Sequence, residues 1–156
     1  MRDEERTARA ERLAEICRQY NVVILYAFGS RGKEVWEWIT GRREHLAPGP
    51  SDVDIGVKAR PGRRLSVREK VELALALEDF FGVDRVDLVA MEDADPFLAL
   101  DVVRGYELYA EDSHLAAEYE LYVLRRAGDL APLERERQEL ILHTPVSEAV
   151  HGPERD

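Results

Sequence analysis

The sequence predicts one mixed α/β domain, in which a small sheet of three or four strands is flanked by helices. Three observations predict this fold class. Residues 22–28 and 53–57 have the length and composition of strands. Segments with helical spacing and helix-capping residues lie between and after them. The chain has 156 residues, 45% of them hydrophobic, which is enough for one buried core.

The first two elements are a helix over residues 3–20 and a strand over residues 22–28. The helix is predicted by an apolar stripe at helical spacing, formed by Leu13, Ile16, Cys17 and Tyr20. Cys17 is therefore expected in the core rather than as a nucleophile. The strand is an unbroken apolar run that ends at Gly29, which is typical of a strand buried on both faces.

A helix, a loop and a second strand follow. Residues 31–40 carry Val35, Trp36 and Ile39 at helical spacing, and residues 41–51 form a loop rich in Gly and Pro. Apolar and polar residues then alternate with a period of two, which predicts a strand with one buried face. The alternating residues are Asp52, Val53, Asp54, Ile55, Gly56 and Val57.

The next helix begins at a capping box made by Ser66 and Glu69, and Gly82 ends it. Its broad apolar face is expected to include Val71, Leu75, Leu77, Phe80 and Phe81. Residues 85–90 form the third predicted strand.

The C-terminal part is predicted to begin with a helix capped by Asp95, with Pro96 in the first position. Gly105 ends this helix, and a short edge strand at residues 106–109 follows. A helix over residues 113–127 is expected to end at Gly128, and another to cover residues 133–142. We expect the domain to comprise residues 1–143 and residues 144–156 to form a flexible tail.

Charge and hydropathy exclude several classes of function. A net charge of −10 argues against broad nucleic-acid binding, which needs a basic surface, although it leaves room for a nucleotide substrate and a basic protein partner. No apolar run approaches the length that crosses a bilayer. Residues 1–6 lack the apolar core of a signal peptide, so we expect a cytoplasmic protein without membrane association.

Carboxylates within the predicted strands are the main functional signal. Asp52 and Asp54 lie two residues apart on one strand face, roughly 6.5–7 Å apart along the chain. Asp87 lies inside the third strand, and Asp84 just before that strand competes for the same role. Acidic residues in strands are costly unless a cation meets them, so this pattern indicates a divalent-metal site.

The Gly29–Ser30 turn at the end of the first strand supplies the second half of the predicted site. Glycine allows the backbone to approach a phosphate closely, and N–H groups at the start of the following helix would hold triphosphate oxygens together with the Ser30 hydroxyl. Arg31 is expected to help bind the nucleotide. The segment is not a Walker loop, because Glu34 follows Lys33 where Ser or Thr is required.

Each of these signals is weak alone. A Gly-Ser pair after a strand is usually only a turn, and an Asp-x-Asp pair is usually a solvated strand edge. Their conjunction in this order favours a functional site over coincidence.

In this pattern the chain resembles the DNA polymerase β-type nucleotidyltransferase superfamily. The pattern of that superfamily is a strand that ends in Gly-Ser, a following strand that carries Asp-x-Asp, and a later strand that carries a third Asp. The matching residues are Gly29, Ser30, Asp52, Asp54 and Asp87. The resemblance implies the polymerase β-like fold and transfer of a nucleoside monophosphate from a nucleoside triphosphate to a hydroxyl, with two magnesium ions. Asp52 and Asp54 would bind metal, Asp87 would bind metal or act as a base, and Gly29 and Ser30 would hold the triphosphate.

The small size resembles the minimal nucleotidyltransferases, and residues 104–109 with the helix that follows are similar to MntA-type antitoxins. Such antitoxins pair with a HEPN ribonuclease toxin and silence it by AMPylating a tyrosine with ATP. This implies an adenylyltransferase with a HEPN toxin as its partner. Two alternatives stay open. The first is a nucleotidyltransferase that modifies a small molecule such as an aminoglycoside. The second is a non-catalytic antitoxin that blocks its partner sterically.

The segment between Ser30 and Asp52 is longer than the family pattern. We expect a packed extension of the helix and loop, with Trp36 and Ile39 pointing inward. The competing interpretation is a flap that contacts nucleotide or partner through Trp or Arg side chains.

Overall fold

The computed structural model describes residues 2–49 and 51–143, and the predicted tail at residues 144–156 lies outside them. The elements in chain order are α1 (Arg2–Gln19), β1 (Val22–Phe28), α2 (Gly32–Ile39), β2 (Val53–Ala59), α3 (Val67–Phe81), β3 (Val86–Ala90), α4 (Pro96–Val103), β4 (Tyr106–Ala110) and α5 (Ser113–His143). Single 3₁₀ turns at Gly29–Arg31 and Met91–Asp93 follow β1 and β3.

The four strands form one mixed sheet in the order β3-β2-β1-β4. β1 runs antiparallel to both β2 and β4, whereas β2 and β3 are parallel. Six of the seven residues of β1 are buried, which confirms the prediction of a strand covered on both faces. The predicted edge strand is β4, at the far side of β1 from the two strands that carry the carboxylates.

Helices cover both faces of the sheet. On one face α1, α2 and α3 pack against Val53, Ile55 and Val57, which are fully buried and anchor β2 as predicted. On the other face α4 and α5 enclose a second apolar cluster. Gly56 faces this second layer, where a Cβ atom would overlap Val102 Cγ1 of α4. The alternation in β2 thus separates an anchoring face from the face that carries Asp54.

Capping residues begin α3 and α4 where the sequence predicts. Ser66 Oγ accepts a hydrogen bond from Glu69 N at 3.1 Å, and Glu69 Oε1 accepts one from Ser66 N at 2.9 Å. Asp95 Oδ1 accepts hydrogen bonds from the first N–H groups of α4. Gly82 adopts a left-handed conformation (φ +70°) and ends α3. These local signals therefore set the helix boundaries.

The predicted apolar face of α3 is wrong at two residues. Val71 and Leu75 are 55% and 58% exposed, whereas Leu73, Leu77 and Phe81 are buried. The buried residues follow a spacing of four, which places them on one side of the helix against the sheet. Val71 and Leu75 lie four residues apart on a different side, so counting apolar residues overestimated the width of the buried face.

The division of the C-terminal segment into two helices is also wrong, because α5 runs without a break from Ser113 to His143. Gly128 does not have a positive φ, so it does not end the helix, and Pro132 lies inside it. Glycine and proline weaken a helix, but residues with high helix propensity on both sides are enough to continue it. Within residues 2–49 and 51–143, no helix is both long and apolar enough to span a bilayer.

Candidate active site

The parallel pairing of β2 and β3 places two of the predicted carboxylates side by side. Asp54 and Asp87 are direct register partners, and adjacent strands lie about 4.8 Å apart. The negative charge of Asp87 acts directly on Asp54. Asp52 lies just before β2, and Asp87 is exposed at the open side of the pair. The structure therefore makes Asp54 and Asp87 neighbours on adjacent strands, with Asp52 two residues before Asp54.

Crowding of acidic groups changes the protonation of Asp54. Burial, followed by the negative charges of Asp87 and Asp52, raises the pKa of Asp54 above its ordinary value. A divalent cation at the same place would neutralise both carboxylates, so an oxygen-only donor set of this kind fits magnesium.

Asp52 makes an ion pair with a neighbouring arginine. Its Oδ1 atom lies 3.8 Å from Arg85 Nε, and the Arg85 side chain is 77% exposed, so this ion pair is weak and screened by solvent. No three acidic, His or Cys side chains among residues 2–49 and 51–143 stand close enough to hold a metal ion as they are. Metal binding by all three carboxylates thus requires their side chains to come closer together.

Gly29 is packed directly against the carboxylates. It begins the turn after β1 with a φ of +74°, and a Cβ atom at this position would overlap Asp54 Oδ2. The strand register explains this contact, because Phe28 is paired with Asp54 across β1 and β2. Ser30 is exposed in the same turn. The structure thus unites the Gly-Ser turn and the carboxylates, although a long segment separates them in sequence.

Arg31 is buried and makes its hydrogen bonds within the protein. It is 8% exposed, and within the described ranges it is the one charged residue that is buried. Nε and Nη2 donate to the two carboxylate oxygens of Glu34 at 3.0 and 3.1 Å. Nη1 donates to the Ser51 carbonyl at 3.1 Å, and Nη2 also donates to the Ala47 carbonyl. Its guanidinium therefore binds the loop that precedes Asp52.

The first half of the long segment between Ser30 and Asp52 packs against the rest of the domain, mainly through Trp38. The Trp38 ring meets Phe80 and Phe81 edge-on, with centroids 5.1 and 5.8 Å apart. Trp38 Nε1 donates to the Glu44 carbonyl at 3.1 Å. Arg9 lies over the Trp38 ring at 4.4 Å and donates to the Trp38 carbonyl. The indole of Trp38 thus joins α2, α3 and the loop.

Trp36 was expected to point inward together with Ile39, but Trp38 takes the buried position and Trp36 is half-buried. Trp36 instead stacks on Tyr106 of β4, with ring centroids 5.7 Å apart, and Arg42 covers its ring. The reason is that β4 presents an aromatic partner at the edge of the sheet. Ile39 is buried as predicted.

Sequence reasoning missed Glu34 and Arg9, two charged residues that bind the loop together with Arg31. Glu34 could have been found from its spacing of three residues from Arg31 on a predicted helix, which is typical of an ion pair. The contacts of Arg9 with α2 and the loop had no such signal, because their acceptors are backbone carbonyls at positions 38, 43 and 44.

Comparison with known proteins agrees with this architecture. A chain from the crystal structure of a toxin–antitoxin with AMP-PNP aligns with a TM-score of 0.59 and 24% identity, over 85% of this chain and 94% of that one. A chain from the complex of tri-AMPylated Shewanella oneidensis HEPN toxin with MNT antitoxin aligns with a TM-score of 0.57 and 23% identity, over 87% and 95%. A chain from the crystal structure of the toxin–antitoxin MntA-HepT aligns with a TM-score of 0.56 and 23% identity, over 86% of this chain and 95% of that one. At these identities the likeness establishes a shared fold.

No curated protein sequence matches this chain significantly. The family model described as polymerase beta, nucleotidyltransferase matches residues 11–114, which include β1, β2, β3 and every predicted site residue. The predicted fold class and the resemblance drawn from the Gly-Ser and three-Asp pattern are thereby confirmed. The chain belongs to the polymerase β nucleotidyltransferase family.

Proposed function

We propose that this protein transfers AMP from Mg-ATP to a hydroxyl group, and that the acceptor is a tyrosine of a partner HEPN ribonuclease toxin. The observation that carries the proposal is the contact of the Gly29 turn with Asp54, which is the register partner of Asp87 on the adjacent strand. This arrangement puts a turn able to receive phosphate beside carboxylates able to receive metal. The proposal places the protein in the cytoplasm, where ATP and magnesium are available.

Each residue has a defined role in this proposal. Asp52, Asp54 and Asp87 would hold two magnesium ions, which neutralise the triphosphate and stabilise the attacking and leaving oxygens. Backbone N–H groups of the turn at Gly29 and the Ser30 hydroxyl would hold triphosphate oxygens. The acceptor oxygen forms a bond to the α-phosphorus, the bond from that phosphorus to the bridging oxygen breaks, and pyrophosphate leaves.

Asp87 is the carboxylate best placed for the acceptor proton. It is exposed, whereas Asp54 is partly covered by the Gly29 turn. An acceptor hydroxyl that approaches from solvent would reach Asp87 first and could pass its proton there as the new bond to phosphorus forms. If Asp87 serves only as a metal ligand, the proton leaves to water.

Two observations support a protein acceptor. The fold is shared with chains taken from toxin–antitoxin complexes, one of which contains an AMPylated HEPN toxin. The net charge of −10 also favours association with a basic protein partner.

The test is transfer of label from α-labelled ATP to the protein encoded by the adjacent gene, in the presence of magnesium. The wild-type protein should label this partner, and Asp52→Asn should reduce transfer at least about a hundredfold through loss of a metal ligand. Asp84→Asn is the matched control, since Asp84 is an exposed carboxylate near β3 that the proposal leaves unused. It should transfer AMP at the wild-type rate, and both variants should retain the wild-type circular dichroism spectrum.

Other outcomes would replace the proposal. Normal transfer by Asp52→Asn would make the metal assignment wrong. Label on an aminoglycoside-like small molecule and not on the partner would establish a small-molecule enzyme. A tight complex with the partner and no label on it would establish a steric antitoxin.

A further inference from the structure

We infer that Arg31 is a positioning residue for the metal-binding carboxylates and acts through the backbone on the N-terminal side of Asp52 rather than on the triphosphate. The inference rests on the proposed metal site and deepens it. It replaces a direct contact between Arg31 and nucleotide with a contact between Arg31 and the loop. We call Arg31, Glu34 and the backbone of Ala47 and Ser51 the loop clamp.

The loop clamp begins with a two-pronged ion pair. The Arg31 fork meets both oxygens of Glu34 three residues later, at the start of α2. Such bidentate pairs are geometrically specific as well as strong. The hydrogen bond from Arg31 lowers the pKa of Glu34, so the carboxylate stays ionised. The pair therefore forms a rigid unit at the end of the Gly29 turn.

The same unit then binds the loop in two places. Glu34 Oε2 accepts a hydrogen bond from Ala47 N, and Arg31 Nη2 donates to the Ala47 carbonyl. Arg31 Nη1 donates to the Ser51 carbonyl at 3.1 Å. Residues 41–52 lack helix and strand where they are described, so these side-chain hydrogen bonds take the place of a backbone ladder.

Asp52 is thereby held from both sides. On its N-terminal side the Ser51 carbonyl is fixed by Arg31, and on its C-terminal side Val53 N donates to the Arg85 carbonyl at 3.1 Å. The first contact orders the end of an irregular loop, and the second begins the pairing of β2 with β3. Without the Arg31 contact, the Asp52 backbone would be held at one side only.

A direct role on the triphosphate conflicts with these contacts. Nε, Nη1 and Nη2 of Arg31 all donate to protein acceptors. Together these contacts use four of the five N–H groups of the guanidinium. A two-pronged contact with phosphate would therefore displace Glu34 or a loop carbonyl, which would leave a part-buried oxygen without its partner.

Three variants separate the two roles, namely Arg31→Ala, Glu34→Gln and the double variant. Glu34→Gln keeps the Arg31 charge and the size of its partner but removes the two-pronged ion pair. Arg60→Ala is the matched control, because Arg60 makes a similar bidentate pair with Glu111 on the far end of β2, at 2.6 and 2.8 Å. The control removes an arginine fork without touching the loop.

The primary measurement is Mn²⁺ binding by calorimetry, without ATP or acceptor. Residues that orient metal ligands typically change metal affinity about 10- to 100-fold when mutated. We therefore expect Arg31→Ala and Glu34→Gln each to weaken Mn²⁺ binding at least about tenfold, and the double variant to be no weaker than the worse single one. Hydrogen exchange at residues 47–53 should accelerate in all three. Arg60→Ala should change neither measurement.

A direct role would give a different pattern. If Arg31 binds the triphosphate, Arg31→Ala raises the KM for ATP with unchanged Mn²⁺ affinity, and Glu34→Gln binds Mn²⁺ as the wild type does. Either result overturns the inference. A failure of the proposed transfer reaction is distinguishable, because Mn²⁺ binding and hydrogen exchange are read without transfer. If Arg31→Ala does not fold, the Glu34→Gln result decides alone.

Discussion

Gly29 is the residue at which backbone conformation and site geometry depend most directly on each other. Its φ of +74° disfavours every side chain, and a Cβ atom there would overlap the Asp54 carboxylate. We expect Gly29→Ala to lose about 1–2 kcal/mol of stability from the left-handed conformation and at least roughly tenfold in nucleotide transfer from displacement of Asp54. Thermal unfolding and the labelled-ATP assay measure the two effects.

The Gly82→Ala variant separates the effect of the left-handed backbone on stability from the effect of Asp54 displacement on transfer. Gly82 has nearly the same conformation, with a φ of +70°, but no atom would lie within 4 Å of its Cβ. This variant should lose similar stability and keep wild-type transfer. Equal losses of transfer in the two variants would show that the Gly29 effect is general destabilisation and not displacement of Asp54.

The individual residues also show what local patterns reveal. Alternation in the second strand predicted that Asp52 and Asp54 lie opposite Val53 and Ile55, because strand periodicity depends only on neighbouring residues. The partners of Arg31 could not be predicted in the same way. Two of its acceptors are backbone carbonyls 16 and 20 residues further along the chain, and carbonyls have no sequence signature.

At the scale of elements, the position of a helix end depends on conformation and not on residue type alone. Gly82 and Gly128 both follow helical patterns, but only Gly82 adopts a positive φ. The capping box at Ser66 and Glu69 and the Asp95–Pro96 helix start were predictable because they act within one turn. The continuity of α5 was not predictable, because it depends on whether the chain after Gly128 is more stable as a helix or in another conformation.

Gly128→Ala tests the continuity of α5. Gly128 is exposed inside the helix, and a Cβ atom there would meet no neighbour within 4 Å. We expect Gly128→Ala to stabilise the helix by about 1 kcal/mol. Hydrogen exchange of residues 125–135 should slow down. If the helix ended at Gly128 with a positive φ, as α3 does at Gly82, the same substitution would destabilise the protein.

Ala117→Gly is the control for this prediction. Ala117 is an exposed residue earlier in α5, so the reverse substitution should cost about the same 1 kcal/mol. Changes of opposite sign in the free energy of unfolding of the two variants, with unchanged nucleotide transfer, would show that both effects come from helix propensity alone.

At the scale of the molecule, the sheet and its two helical layers were predictable in kind but not in arrangement. The number and type of strands follow from local periodicity, while the order β3-β2-β1-β4 depends on contacts between distant segments. That strand order determines which residues become neighbours in the candidate site. The parallel pairing of β2 with β3 makes Asp54 and Asp87 neighbours, and the antiparallel pairing of β1 with β2 brings Gly29 to them.

The crowding of carboxylates makes the stability of the whole molecule depend on pH and metal. Because the pKa of Asp54 is raised in the folded protein, the folded state binds this proton more tightly than the unfolded chain, whose Asp pKa is about 3.9. The contribution of Asp54 to stability is therefore most favourable below about pH 3.9 and falls as the pH rises through the raised pKa. Above that value the full penalty of the charged group remains.

Asp54→Asn removes this penalty, so its stability relative to the wild type should increase as the pH rises through the raised pKa and then stay constant. Urea unfolding at a series of pH values measures the difference, and because other titrating groups are common to both proteins, they largely cancel. Mn²⁺ should stabilise the wild type more than Asp54→Asn at neutral pH, since the cation neutralises the crowded carboxylates. A stability difference that is independent of pH, or that decreases as pH rises, would contradict the role of Asp54 as a charged group held in place for metal.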